Sequence, residues 1–217
     1  MAKVNLLTIH YGQNKGSFLQ TWATKKILES MNHQVTVIHL IDPIYDFSRQ
    51  IKNLRGFLQI LHYREFEKLR QDQLHPITDQ MISIDPALIP EADYTVTGSD
   101  QTWNPEITKH NVMAYFQDFV PESCQRVTLS ACFGFKDWKY PEDLTQKIRT
   151  ELHKFKSISV RDHYSANICK DVFGVDTTVI SDPTIAWGKY EELSGEIPEY
   201  PEIFGFLLYD TPLFFQL

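Results

Sequence analysis

Functional side chains gather in five short segments: Gly12-Gln-Asn-Lys-Gly16, Gly98-Ser-Asp-Gln-Thr-Trp-Asn104, Ser130-Ala-Cys-Phe-Gly134, Arg161-Asp162 and Ser181-Asp-Pro-Thr184. Most combine small residues, which let a backbone approach a ligand, with groups that bind anions, donate hydrogen bonds or move protons. Gly98 permits close approach or a positive φ; Ser99, Asp100 and Gln101 supply donors and acceptors, and Trp103 supplies a flat apolar face suited to a sugar ring. The same segment also reads as scaffold, with Ser99 or Asp100 capping the next helix and Trp103 filling core. The Arg161 guanidinium fork suits the carboxylate or phosphate of a small dianion, or else pairs with Asp162 or Asp182. Lys15 could meet an anion beside a helix amino terminus, although 12–16 lacks the spacing of a P-loop or a dinucleotide fingerprint. Ser130 and Gly134 bound a third ligand-facing turn, and Asp182 could act as acid or base or simply cap its turn.

These segments make sense as loops once the intervening runs are read. Short apolar, β-prone runs cover 4–9, 35–41, 94–97, 127–132, 157–160 and 177–180, and nearly every one ends at a functional segment. Between the first two, Phe18, Leu19, Trp22, Ala23, Ile27 and Met31 recur at helical spacing, which gives a βαβ opening with parallel strands. Further helices are predicted over 54–74, 141–155 and 162–173. In the first of these, Leu54, Phe57, Leu58, Leu61 and Phe66 share a face; Arg64, Glu65, Glu67, Lys68 and Arg70 take the remaining positions, read as a solvated outer face. Alternating strands and helices predict an α/β fold, a Rossmann-like doubly wound, mainly parallel sheet whose strand carboxyl ends line one ligand-binding edge.

Composition narrows the function classes. The chain has 217 residues, 42% hydrophobic and 23% charged, enough for one generous domain or one domain and the start of another. A formal net charge of -7 argues against non-specific nucleic-acid binding. The opening apolar run is too short for a signal-peptide core, and no later run would span a membrane. Cys124, Cys132 and Cys169 have neither metal-ligand spacing nor an even count, which fits a reducing cytoplasm. The eight histidines show no paired ligand spacing; His10 borders the first loop, while His39 reads as a packing or surface group. No metal site and no Ser-His-Asp arrangement is expected. Residues 190–202 have linker chemistry, and 203–209 look like a fresh strand. The expected organisation is a Rossmann-like domain over 1–189, a linker over 190–202, and the start of a truncated second domain over 203–217.

Taken in order, Asn14-Lys-Gly-Ser-Phe-Leu-Gln-Thr-Trp-Ala23, Gly98-Ser-Asp-Gln-Thr-Trp-Asn-Pro105, Ser130-Ala-Cys-Phe-Gly134, Ile158-Ser-Val-Arg-Asp162 and Ser181-Asp-Pro-Thr184 resemble the polysaccharide pyruvyl transferase family through most of the chain. The resemblance implies the first half of a GT-B-like two-domain architecture, with further histidine and arginine contacts in the other half, so that the isolated chain is weakly active or inactive. It implies transfer of a pyruvyl ketal from phosphoenolpyruvate, the donor substrate, to a sugar hydroxyl pair in exopolysaccharide biosynthesis, with no cofactor. Arg161 would clamp the donor, with Lys15 second; Asp100 would be acid, base or acceptor-orienting group, with Asp182 second. Ser99, Gln101, Trp103, Ser130 and Gly134 would line the substrate site, Trp103 stacking on the acceptor. The acceptor glycan can be lipid-linked, and no oligomeric state is implied. Two competing readings are a GT-B-type glycosyltransferase using a nucleotide sugar and a non-catalytic, partner-dependent domain.

Overall fold

The structure, a computed structural model, describes residues 1–12, 14–43 and 54–194, with residues 54–63 and 194 described by their backbone alone. The first apolar run forms strand β1, Lys3–Leu7. Helix α1, Lys15–Ser30, follows because Asn14 caps it, its side chain accepting from the backbone N–H groups of Gly16 and Ser17 at 2.9 and 3.3 Å. Phe18, Trp22 and Ala23 of its predicted stripe are buried. Strand β2 is Gln34–Val37 and helix α2 is Leu54–Leu74. After β3, Tyr94–Thr97, come two single-turn helices, α3 (Pro105–Thr108) and α4 (Val112–Tyr115). Strand β4 is Gln125–Thr128, helix α5 Glu142–Leu152, strand β5 Ser159–Val160, and helix α6 His163–Ile168, which runs on as a π turn over Cys169–Phe173. Strand β6 is Thr178–Val179, and α7, Pro183–Trp187, comes next.

All six expected strands are present, several shorter or shifted. The fourth was expected over 127–132 but lies earlier, because Ser130 takes a φ of 62° that a strand does not allow. Strands β2, β1, β3 and β4 pair in that order, all parallel. Strand β6 pairs parallel with β5, and bridges Val127 to Ser157 and Ala131 to Val160 carry the sheet across from β4 to β5. The chain therefore reverses its direction of travel across the sheet between β1 and β3, the place where open α/β sheets part to form a ligand crevice. The result is a Rossmann-like α/β fold.

Helix α1 packs against α2 and α7, with Phe18 edge-on to Phe66 and Trp22 edge-on to Trp187. A second aromatic group holds the loops after β3 and β4 together: Trp103 stacks on Phe116 at 5.2 Å, and Phe133 stacks on Phe173 at 6.0 Å. Burying one such ring contributes roughly 1.5–3 kcal/mol. All three cysteines are buried and free. Met1–Trp187 forms one compact unit and Gly188–Leu217 a second, in which α8, Glu191–Ser194, is described. The expected linker is described only as far as 194, and the strand expected at 203–209 lies outside the described residues. Among the described residues no helix is long and apolar enough to cross a membrane.

Candidate functional site

The loops leaving β1 and β3 border a cleft of about 350 Å³ at the point where the strand order reverses. A larger hollow of about 850 Å³ lies at the opposite edge, where Lys3, Asn5 and Asp93 mark the strand starts and no functional segment ends. Asp100 stands on the smaller cleft's wall with a φ of 82°, a conformation that aspartate tolerates better than most residues. The Ser17 hydroxyl of α1 donates to its Oδ2 at 2.7 Å, and the Gln101 backbone N–H donates to its Oδ1 at 2.8 Å. Gly98 makes this approach possible by its size: a Cβ there would lie 3.0 Å from the Cβ of Thr8, so the loops after β1 and β3 meet at close range. Of the two roles open to Gly98, close approach is the one it plays.

A second network runs along the same edge toward β5 and β6. The Ser99 hydroxyl donates to Asp182 Oδ2 at 2.9 Å, and Arg161 Nη1 donates to the same oxygen at 3.1 Å. The Thr184 backbone N–H and hydroxyl donate to Asp182 Oδ1 at 2.9 and 2.6 Å. Burial would raise the Asp182 carboxyl, but the Thr184, Arg161 and Ser99 hydrogen bonds outweigh it and hold it below the usual carboxylate range. Burial likewise opposes the Arg161 charge, yet the Cys132 and Asp182 contacts raise its pKa overall. The ion pair that the sequence left open for Arg161 is formed, and the Arg161 side chain stays about 30% exposed. Ser130 joins this edge through its hydroxyl, which donates to the Ser181 carbonyl at 3.2 Å. Gly134 has a φ of 78° and lies under Gln101, whose Oε1 would be 2.2 Å from any Cβ there. Seven predicted site residues therefore meet along one edge: Ser99, Asp100, Gln101, Ser130, Gly134, Arg161 and Asp182.

Two predicted site residues lie apart from them. Trp103 is fully buried, its indole N–H donating to the Tyr115 carbonyl at 3.1 Å. It is a core residue with no face left for a sugar, because the loop after β3 turns it inward against Phe116 and Phe133. Lys15 is exposed at the first position of α1 and is not among the residues lining the cleft. The solvated outer face expected of α2 holds at Arg64, Glu65 and Lys68, which are exposed, but not at Arg70. Arg70 is buried, donating to the His10 carbonyl at 2.9 Å and pairing with Glu67. His10 and His39 pack 5.1 Å apart beside it. Burial pushes His10 well below its ordinary value, with proximity to His39 and Arg70 adding to it; burial and then Arg70 push His39 down to about 4, so both rings are neutral near pH 7.

The cleft also holds residues that motif and spacing do not single out. Lys109, at an unusual φ of 49°, sets its ammonium 3.0 Å from the buried Asp42 carboxylate, and both line the cleft. Tyr115 lies buried beside them, its phenol raised well above the usual range by burial, then by Tyr11, Asp100 and Asp42. In the sequence Asp42-Pro43 reads only as a strand stop, and the one local signal for Lys109 is its place just after α3. Among the described residues no group of three or more His, Cys, Asp or Glu side chains is arranged to hold a metal ion.

Comparison with known families gives a match over residues 14–210 to the model described as polysaccharide pyruvyl transferase. The match spans every loop of the edge except the start of the first, and includes Asp42 and Lys109. Comparison with curated proteins gives no match.

Proposed function

The chain belongs to the polysaccharide pyruvyl transferase family, and on that premise we propose that it binds phosphoenolpyruvate and serves transfer of its pyruvyl group to a pair of sugar hydroxyls. The observation that most supports this reading is the hydrogen-bonded chain Ser99–Asp182–Arg161, which holds one partly exposed arginine side chain at the strand edge, linked through Ser99 to the loop that carries Asp100. A guanidinium has five N–H donors in a planar fork, so one bond to Asp182 leaves it able to take a carboxylate or phosphate. In the GT-B-like arrangement we propose, this sheet is the amino-terminal half.

In the proposed reaction a proton adds to C3 of phosphoenolpyruvate and the first sugar hydroxyl bonds to C2. The C2–O bond to phosphate then breaks, and the second hydroxyl closes the ketal. The two hydroxyl protons end on C3 and on the departing phosphate. Arg161 would hold the donor's anionic groups and lower the cost of the charge that gathers on the leaving phosphate. Asp182, kept ionised by its partners, would orient Arg161 and would not supply a proton. Asp100 is the candidate to accept a hydroxyl proton, since it borders open space and accepts its side-chain hydrogen bond from a neutral hydroxyl. Lys15 is the second candidate for phosphate.

A thermal-shift titration of the chain with phosphoenolpyruvate tests this, run beside Arg161→Ala and a nucleotide-sugar control. A ligand at about 100 times its Kd stabilises the native state by about 2.7 kcal/mol. The expected result is a rise in Tm with phosphoenolpyruvate that the variant loses. A rise with the nucleotide sugar alone would support glycosyl transfer instead, and no rise with either ligand would overturn donor binding by this chain.

A further inference from the structure

We infer that the cleft between the loops after β1 and β3 is an acceptor subsite that takes an uncharged sugar ring, with Asp42 and Lys109 as its specificity-determining pair. This rests on the reading above but assigns residues and a substrate class that the reading leaves open. The cleft volume of about 350 Å³ falls in the range of small-molecule sites, roughly 300–1,000 Å³. Among the described residues its charged lining is three carboxylates, Asp42, Asp100 and Glu106, against one ammonium, Lys109. Asn14, Ser17, Tyr11 and Gln101 add neutral polar groups. Carboxylates take hydrogen bonds from sugar hydroxyls, and the ammonium gives them. The excess of negative charge repels a second carboxylate or phosphate, so neither phosphoenolpyruvate nor a uronic acid suits this cleft, and the donor anion is left to Arg161.

One further feature points into the same space. Asp42 is buried and fixes the half-exposed Lys109 ammonium at 3.0 Å, which holds a donor in place at the cleft wall.

The test is an amide chemical-shift titration of the whole chain at fixed ionic strength. The probes are the methyl glycosides of glucose, galactose and mannose, the three matching uronides, and phosphoenolpyruvate. At least one neutral glycoside should move the Asp100, Gln101 and Lys109 amides, and its uronide should bind at least tenfold more weakly. Lys109→Gln should weaken the neutral glycoside about tenfold, and Asp42→Asn should narrow the preference over the uronide. The inference is overturned if a uronide binds as well as its neutral partner, if phosphoenolpyruvate moves these amides, or if no glycoside moves them. Should phosphoenolpyruvate move the Arg161 and Thr184 amides while no glycoside moves Asp100, the acceptor subsite fails and donor binding stands. Glycoside binding without any response to phosphoenolpyruvate would instead leave the acceptor subsite standing and remove donor binding by this chain.

Discussion

Asp100 and Asp182 stand in equivalent places, each just past the end of a parallel strand, and their surroundings give them different work. Asp182 accepts from Ser99, Arg161 and Thr184, and its carboxyl is held below the usual range. Asp100 accepts one side-chain hydrogen bond, from Ser17, and borders an open cleft at a φ of 82°. A carboxylate surrounded by donors organises its neighbours and gives up its freedom to exchange protons. One with a strained backbone and a ligand-sized space beside it is poised to meet a substrate. Both residues fit the description of a strand-end acid, and only their partners separate them.

If the Asp100 side depends on the aromatic core beneath it, Trp103→Ala should have the largest effect on stability, about 3–5 kcal/mol in denaturant unfolding. The loss comes from its stacking on Phe116 and its bond to the Tyr115 carbonyl. A loss under about 1 kcal/mol would mean that the ring is not core, and would reopen its role as a sugar platform. On the other side, Asp182→Ala should cost about 2–3 kcal/mol, because it leaves the partly buried Arg161 charge without its partner and the Ser99 hydroxyl without an acceptor. It should also abolish any response to phosphoenolpyruvate. Asp182→Asn, which keeps the shape and an acceptor oxygen, should recover part of the stability, and a full recovery would show that charge plays little part in this network.

These contrasts mark how far the sequence could be read. The six strands were legible because each is a brief β-prone run, most ending in a cluster of small and polar residues, and the ligand edge followed from their parallel order. Boundaries slipped where one residue's backbone decided them, as at Ser130. Trp103 had two readings because a ring that packs core and a ring that stacks on sugar are the same residue in the same local sequence. Arg70, His10, His39, Asp42 and Lys109 were not legible as partners because their contacts join segments far apart in the chain, and hydrophobic periodicity carries no information about such pairs. The loop motifs carried the family, while the tertiary contacts decided which acid is the organiser.

Acid should separate the two sides by pH window. His39 has an ordinary pKa of 6.5 and about 4 in the folded protein, so unfolding takes up a proton as pH falls below 6.5. The stability this ring contributes by staying neutral is present at neutral pH and lost progressively down to about pH 4, amounting to about 2 kcal/mol by about pH 5. Asp182 behaves in the opposite sense: its folded pKa lies below the ordinary 3.8, so its contribution holds above that value and fades only below it. Hydrogen exchange at about pH 5 should therefore show loosening around His10, His39 and the end of α2 while the Arg161 and Thr184 segments stay protected. Simultaneous loosening of both segments would show that the two sides unfold as one unit.

The smallest effect on stability belongs to the substitution that bears most directly on function. Asparagine tolerates a positive φ as well as aspartate does; its amide oxygen can still accept from the Gln101 N–H, while its NH2 donates to the Ser17 hydroxyl oxygen. Asp100→Asn should thus change stability by less than about 0.5 kcal/mol, as expected where no buried charge, cap or packing contact is lost. What it removes is the ability to take a proton from a sugar hydroxyl at neutral pH. The variant should keep its response to phosphoenolpyruvate, bind a neutral glycoside with little change, and lose on the order of 100-fold or more in any transfer rate, the usual range for removing a general base. An unchanged rate would move the base elsewhere on the edge, and a large loss of stability would make Asp100 a second organiser like Asp182.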